Sequence, residues 1–138
     1  MDLKFDKVLV LAPHTDDGEF GWGGTISRLV DAGTEVYYAA FSDSEQTVRK
    51  EFPPDILITE VKAATQVLGI KPANLFLFDY KVRMFNYHRQ EILQALIELR
   101  EKVNPDAVFM PSTDDIHQDH FTIAQEGLRA FKFTSIFC

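Results

Sequence analysis

The chain has 138 residues, room for one domain and not for a second substantial one. Acidic residues outnumber basic ones 21 to 14, giving −7, and the Lys and Arg are scattered, which excludes the concentrated basic face that nonspecific nucleic-acid binding needs. No apolar run approaches the ~18–20 residues of a membrane span, and a single cysteine, Cys138, excludes an internal disulfide framework and an all-cysteine metal site.

A soluble, cytoplasmic globular domain is the expectation, and the pattern along the chain gives its class. Lys7 to Ala12 (KVLVLA) is a continuous apolar run, as in a strand buried on both faces. It breaks into the polar, glycine-rich Pro13–Gly24, in which Gly21-Trp22-Gly23-Gly24 reads as a turn. Ile26, Leu29 and Val30 then follow helical spacing, with Gly33 at the C-terminal cap. Val36 to Phe41 reads as a second strand and Ser42 to Asp55, with Pro53-Pro54, as a loop. Ile58, Val61, Ala64, Thr65 and Leu68 form a helical stripe closed by Gly69, and Leu75 to Phe78 is a short third strand. Ile92, Leu96, Leu99 and Val103 predict an amphipathic helix. Asp106 to Met110 is a fourth strand, Phe121, Ala124, Leu128 and Phe131 mark a last helix, and Phe133 to Cys138 begins a fifth strand.

Alternating strands and helices imply an α/β, Rossmann-like three-layer fold with a mostly parallel central sheet. In such sheets ligands bind outside the carboxyl ends of the strands. The two unusual polar segments, after strands one and four, both fall at that edge.

The first segment is Pro13-His14-Thr15-Asp16-Asp17-Gly18-Glu19; taken alone, its aspartates could merely cap a helix or form a turn. The second is Asp114-Asp115-Ile116-His117-Gln118-Asp119-His120, whose histidines, three apart, would point to one side at a helix start. Taken alone, it could be a solvated acidic loop. Brought to one edge, the segments jointly supply two histidines and a carboxylate for a metal, with a spare carboxylate and a spare histidine beside them. Three protein ligands with an open position is how catalytic zinc is held.

Pro13-His14-Thr15-Asp16-Asp17, the Gly23-Gly24-Thr25-Ile26 helix start and His117-Gln118-Asp119-His120 together resemble the PIG-L/LmbE-like family of zinc-dependent N-acetylglucosaminyl deacetylases. The likeness runs from about Val8 to Phe131. It implies one LmbE-like deacetylase domain over residues 1–138. The expected reaction removes an acetyl group from an N-acetylated, GlcNAc-like amino sugar or sugar conjugate. By position it implies His14, Asp17 and His120 as ligands of Zn2+, or of another divalent metal such as Fe2+. It gives Asp16 the role of general base toward metal-activated water, and His117 that of polarising the carbonyl or stabilising the oxyanion. Asp119, between the histidines, is expected to orient one of them.

Two features depart from the family pattern. Thr15 stands where proline is usual, and Gly18 where an acidic residue often follows the aspartates. Family members also continue beyond residue 138, so the chain is expected to lack the usual C-terminal part. A truncated or non-catalytic metal- or sugar-binding domain of the same fold is therefore the alternative, and a pocket completed in a homo-oligomer is a further one. Two histidines and a carboxylate also make the facial triad of non-haem iron enzymes, but those triads commonly sit on all-β barrels and the helical stripes here speak against one. The expected partner is a small N-acetyl sugar, with no nucleic acid and no transmembrane segment. Arg49 and Arg83 are weaker candidates for contacting a sugar hydroxyl or a phosphate. Trp22 and His88 read as a packing residue and an exposed one. The Gly21-Trp22-Gly23-Gly24 stretch lacks the spacing and the lysine of a phosphate-binding loop.

Overall fold

The run Lys7–Ala12 forms strand β1, and its lack of polar alternation follows from burial on both faces. Leu9 and Leu11 point into one apolar cluster; Val8, Val10 and Ala12 point into another. The computed structural model describes residues 4–138, so the first three residues of the expected 1–138 domain lie outside the described ones.

The other strands are β2 (Glu35–Ala40), β3 (Leu75–Leu77), β4 (Ala107–Phe109) and β5 (Ser135–Phe137). The helices are α1 (Asp17–Asp31), α2 (Ile56–Val67), α3 (Arg89–Val103) and α4 (Gln118–Ala130). All the strands pair in parallel in the order β3-β2-β1-β4-β5, with Val8 opposite Val36 on one side and Ala107 on the other. One face carries the stripes Ile92, Leu96 and Leu99 of α3 and Ile123 of α4. The opposite face carries Ile26 and Leu29 of α1 and Val61 of α2. The result is the three-layer α/β arrangement that the alternating pattern implies.

The strand order reverses between β1 and β4. The chain runs outward from β1 to β3, then returns to lay β4 on the other side of β1. Diverging connections open a crevice at such a switch point, above the strand ends. The segments 13–19 and 114–120 leave β1 and β4 there.

The main difference from the sequence reading is the start of α1. Residues Gly21–Gly24 are not a turn: the helix begins at Asp17 and carries Gly18, Gly21, Gly23 and Gly24 within it. Glycine costs a helix about 1 kcal/mol per residue, so the pattern reads as loop, but packing of α1 on the sheet overrides it. Asp17 and Glu19 in the first turn also face the positive end of the helix dipole. The Gly21–Gly24 stretch is accordingly helix, not a phosphate-cradling turn. Trp22 on it packs on Phe109 of β4, their ring centroids 4.6 Å apart. Gly33, at φ 92°, ends the helix in the left-handed conformation that the cap requires. Among the described residues no helix is long and apolar enough to cross a membrane.

Candidate metal centre

His14 leaves the end of β1 and Asp17 opens α1, so a single tight turn brings them together. The His14 backbone N–H donates to Asp17 Oδ2 at 2.8 Å, and His14 Nδ1 stands 3.2 Å from the same oxygen. A side chain at position 18 would collide with the Tyr38 ring beneath the turn. Glycine there lets α1 descend until its Gly18 N–H reaches Tyr38 Oη at 3.1 Å. Tyr38 in turn donates to Glu19. The turn therefore rests on β2.

The other half of the centre comes from the β4–α4 connection. Asp115 Oδ1 accepts the His117 N–H at 2.9 Å, closing the turn that leads into the helix. His117 caps α4: its Nδ1 accepts the Asp119 N–H at 3.2 Å. His120 sits one turn further, with its ring stacked on that of His117 at 4.6 Å. Its Nδ1–H donates to Asp115 Oδ2 at 2.9 Å, and its Nε2 lies 3.2 Å from Asp17 Oδ2.

One Asp17 oxygen is thus 3.2 Å from a nitrogen of each of two histidines on separate loops. The outer nitrogen of each ring is held by a carboxylate: His14 Nε2 by Asp119 at 2.9 Å, His120 Nδ1 by Asp115. In a neutral imidazole so held, the outer nitrogen keeps the proton and the inner one presents its lone pair. Two inward nitrogens and a carboxylate oxygen form a donor set that suits a divalent metal. His117 also offers a nitrogen, and the ligand atoms of His14, His117 and His120 fall within 4.8 Å of one another.

Charge on these groups follows their contacts. Burial alone would lower the His14 pKa, but hydrogen bonds to Asp119 and Asp17 outweigh it and hold it up at about 9. Burial pushes Asp17 up, yet its bonds to His120 and His14 carry it well below the usual carboxylate range. The same contest leaves Asp119 lowered, by His14 and the N–H groups of Arg83 and Phe85. Asp115 is lowered by the His117 N–H and His120. His120 is raised chiefly by Asp17. His117 is lowered, by burial and then by the charges of His120 and His14.

Two clefts flank the cluster. Asp17 and His120 line one of about 370 Å³ with Asp115, Phe20 and Trp22. His14, Asp16 and His117 line the other, of about 350 Å³, with Ser44, Thr47 and Arg83. Asp16 is exposed, and its side chain makes no capping bond to α1. Asp119 is fully buried; besides His14 it accepts the Arg83 N–H at 2.6 Å.

All six residues singled out in the sequence, His14, Asp16, Asp17, His117, Asp119 and His120, therefore gather in one place. Sequence reading assigned nothing to Asp115; only the turn geometry shows which of two adjacent aspartates reaches His120. Of the weaker candidates, Arg83 lines a cleft beside the cluster. The Arg49 side chain is 80% exposed and lies 4.0 Å from Glu51. His88 pairs with Glu91 at the start of α3.

A parallel α/β sheet with a histidine–carboxylate cluster at its switch point defines a class, α/β proteins whose strand ends carry a cluster that could hold a metal. Within it, residues 9–131 match the family model described as PIG-L, GlcNAc-PI de-N-acetylase, and the chain belongs to that family. It is 30% identical to the diacetylchitobiose deacetylase of Thermococcus kodakarensis, over 98% of this chain and 52% of that protein. It is 29% identical to a protein of Bacillus cereus described as a probable N-acetyl-alpha-D-glucosaminyl L-malate deacetylase, over 89% of this chain and 60% of that one. Among solved structures, the N,N'-diacetylchitobiose deacetylase of Pyrococcus horikoshii superposes with a TM-score of 0.81 at 28% identity, covering 94% of this chain and 50% of that one. The chain spans about half the length of the relatives it matches.

Proposed function

We propose that the chain is a zinc-dependent amide hydrolase that removes the acetyl group from an N-acetylated amino sugar or sugar conjugate, residues 1–138 acting as one domain. The observation that carries this reading is the convergence of His14, Asp17 and His120, the two histidines each held from behind by a carboxylate, beside a cleft in which Asp16 and His117 stand open. The relatives are deacetylases of acetylated sugars by name, which supports the same class of substrate here.

His14, Asp17 and His120 would hold the zinc. Bound there, zinc would act as a Lewis acid and would bring the pKa of a water to about 7. Asp16 would accept a proton from the attacking water as the water's oxygen adds to the acetamide carbon. His117 meets the negative charge that grows on the carbonyl oxygen. Its Nδ1 already accepts the Asp119 N–H, so a neutral ring carries its proton on Nε2 and donates from there. Asp16 then returns its proton to the nitrogen. The C–N bond breaks, and acetate and the free amine leave. Asp17, fixed between two histidines, does not share in this proton traffic.

Acetate and free amine should appear in equal amounts when the zinc-loaded protein meets N-acetylglucosamine derivatives. They should cease on chelation and return with zinc. Zinc bound without acetate release from any such sugar would instead mark a binding domain that does not turn over. Stoichiometric iron after aerobic purification would favour the iron reading.

A further inference from the structure

Two loops wall the cleft beside Asp16 and His117: the segment after β2, which carries Ser44, and the segment after β3, which carries Arg83. Gln46 Oε1 ties them together by accepting the Val82 N–H at 3.3 Å. Three non-glycine residues of the described chain have a left-handed backbone. Two of them, Ser44 at φ 54° and Arg83 at φ 69°, line this one cleft. The third, Asn104, closes α3, where that conformation is ordinary.

The left-handed region is disfavoured for a residue with a long side chain, and glycine or asparagine occupies it more easily. Arg83 is held there because its N–H points at Asp119 Oδ2, 2.6 Å away. Any residue but proline could make that bond, so the backbone explains the conformation without explaining an arginine. Arg83 is also the one Lys or Arg among the residues lining the cleft. No ion pair involves it among the described residues. On the facing loop, Ser44 Oγ is buried without a hydrogen-bond partner. Backbone outliers of this kind cluster where a ligand is held.

We infer that Arg83 reads an anionic group on the carrier of the acetylated sugar, so that the substrate class is a phosphorylated or carboxylated N-acetylamino sugar rather than a neutral one. The inference rests on the hydrolase reading above. A guanidinium presents paired donors that match the oxygens of phosphate or carboxylate, and a partly enclosed cleft strengthens the pairing. An acetamide seated at Asp16 and His117 places the rest of the sugar along the same cleft, toward Arg83.

The test is calorimetric titration of the metal-loaded chain with N-acetylglucosamine, N-acetylglucosamine 1-phosphate and N-acetylmuramic acid, with acetate measured in the same samples. Arg83→Asn removes the charge, tolerates the left-handed backbone and keeps the N–H on Asp119; Arg83→Lys keeps the charge. The wild-type chain should bind one or both anionic sugars roughly ten- to a hundredfold more tightly than the neutral one. The anion preferred identifies the group. Arg83→Asn should erase the preference while leaving the neutral sugar's affinity in place, and Arg83→Lys should retain part of it. Arg49→Gln, which alters an arginine outside the cleft lining, should change nothing. Equal binding of all three sugars by the wild type overturns the assignment and leaves the hydrolase reading standing. So does a preference that survives Arg83→Asn, or a loss shared equally by neutral and anionic sugars. Binding of none, with no acetate released, overturns both.

Discussion

On one side of the histidine cluster the polar side chains are bonded to one another. Asp17 lies against His14 and His120, and Asp115 holds His120 from behind. On the other side Asp16 makes no capping bond, Ser44 Oγ has no partner and Arg83 has no ion pair among the described residues. Asp16 and Asp17 are adjacent in the chain yet fall on opposite sides of this divide. A group locked between two histidines is suited to holding a cation, because its charge and orientation are fixed before anything binds. A group without partners is suited to exchanging protons and meeting a substrate. The difference comes from the start of α1, which turns one aspartate inward and leaves its neighbour outside.

Substitutions on the held side should break this division most severely. His14→Ala removes a donor and also takes the imidazole partner from the buried Asp119, and acetate release should fall to background together with metal content. On the open side, Asp16→Asn should keep the metal and the melting temperature yet lower kcat by roughly 10²–10⁴, the usual contribution of general acid–base catalysis. Steady-state kinetics beside metal analysis separates the two cases. Asp119→Asn keeps the shape but removes the charge that orients His14; metal affinity should weaken by about 10–100-fold, read by competition with a chromophoric chelator. The smallest effect should come from beneath the turn. Gly18→Ala forces a methyl group against Tyr38, costing about 1–3 kcal/mol of stability in a denaturant melt, with the metal still bound.

Much of this fold was legible because its signals are local. The KVLVLA run could be buried only on both faces, and the four-three-four spacing of Ile92, Leu96, Leu99 and Val103 reads directly as a stripe that the sheet covers. The two polar segments were legible too, since a parallel sheet brings the ends of its strands to one edge. What escaped depended on contacts distant in sequence. Four glycines hid the first turns of α1, because the packing that stabilises them lies on Tyr38 and Phe109. The place of Asp115 turns on which way one loop folds. The left-handed backbones of Ser44 and Arg83 leave no mark in composition, for neither residue type favours that conformation.

The geometry offers two donor sets, His14–Asp17–His120 and His14–His117–His120, and the central claim requires the first. Metal content of zinc-loaded, gel-filtered protein distinguishes them directly when wild type is measured beside Asp17→Asn and His117→Gln. The account predicts about one zinc per chain in the wild type and in His117→Gln, and little in Asp17→Asn. Zinc retained by Asp17→Asn and lost by His117→Gln, or no stoichiometric metal in the wild type, would contradict it.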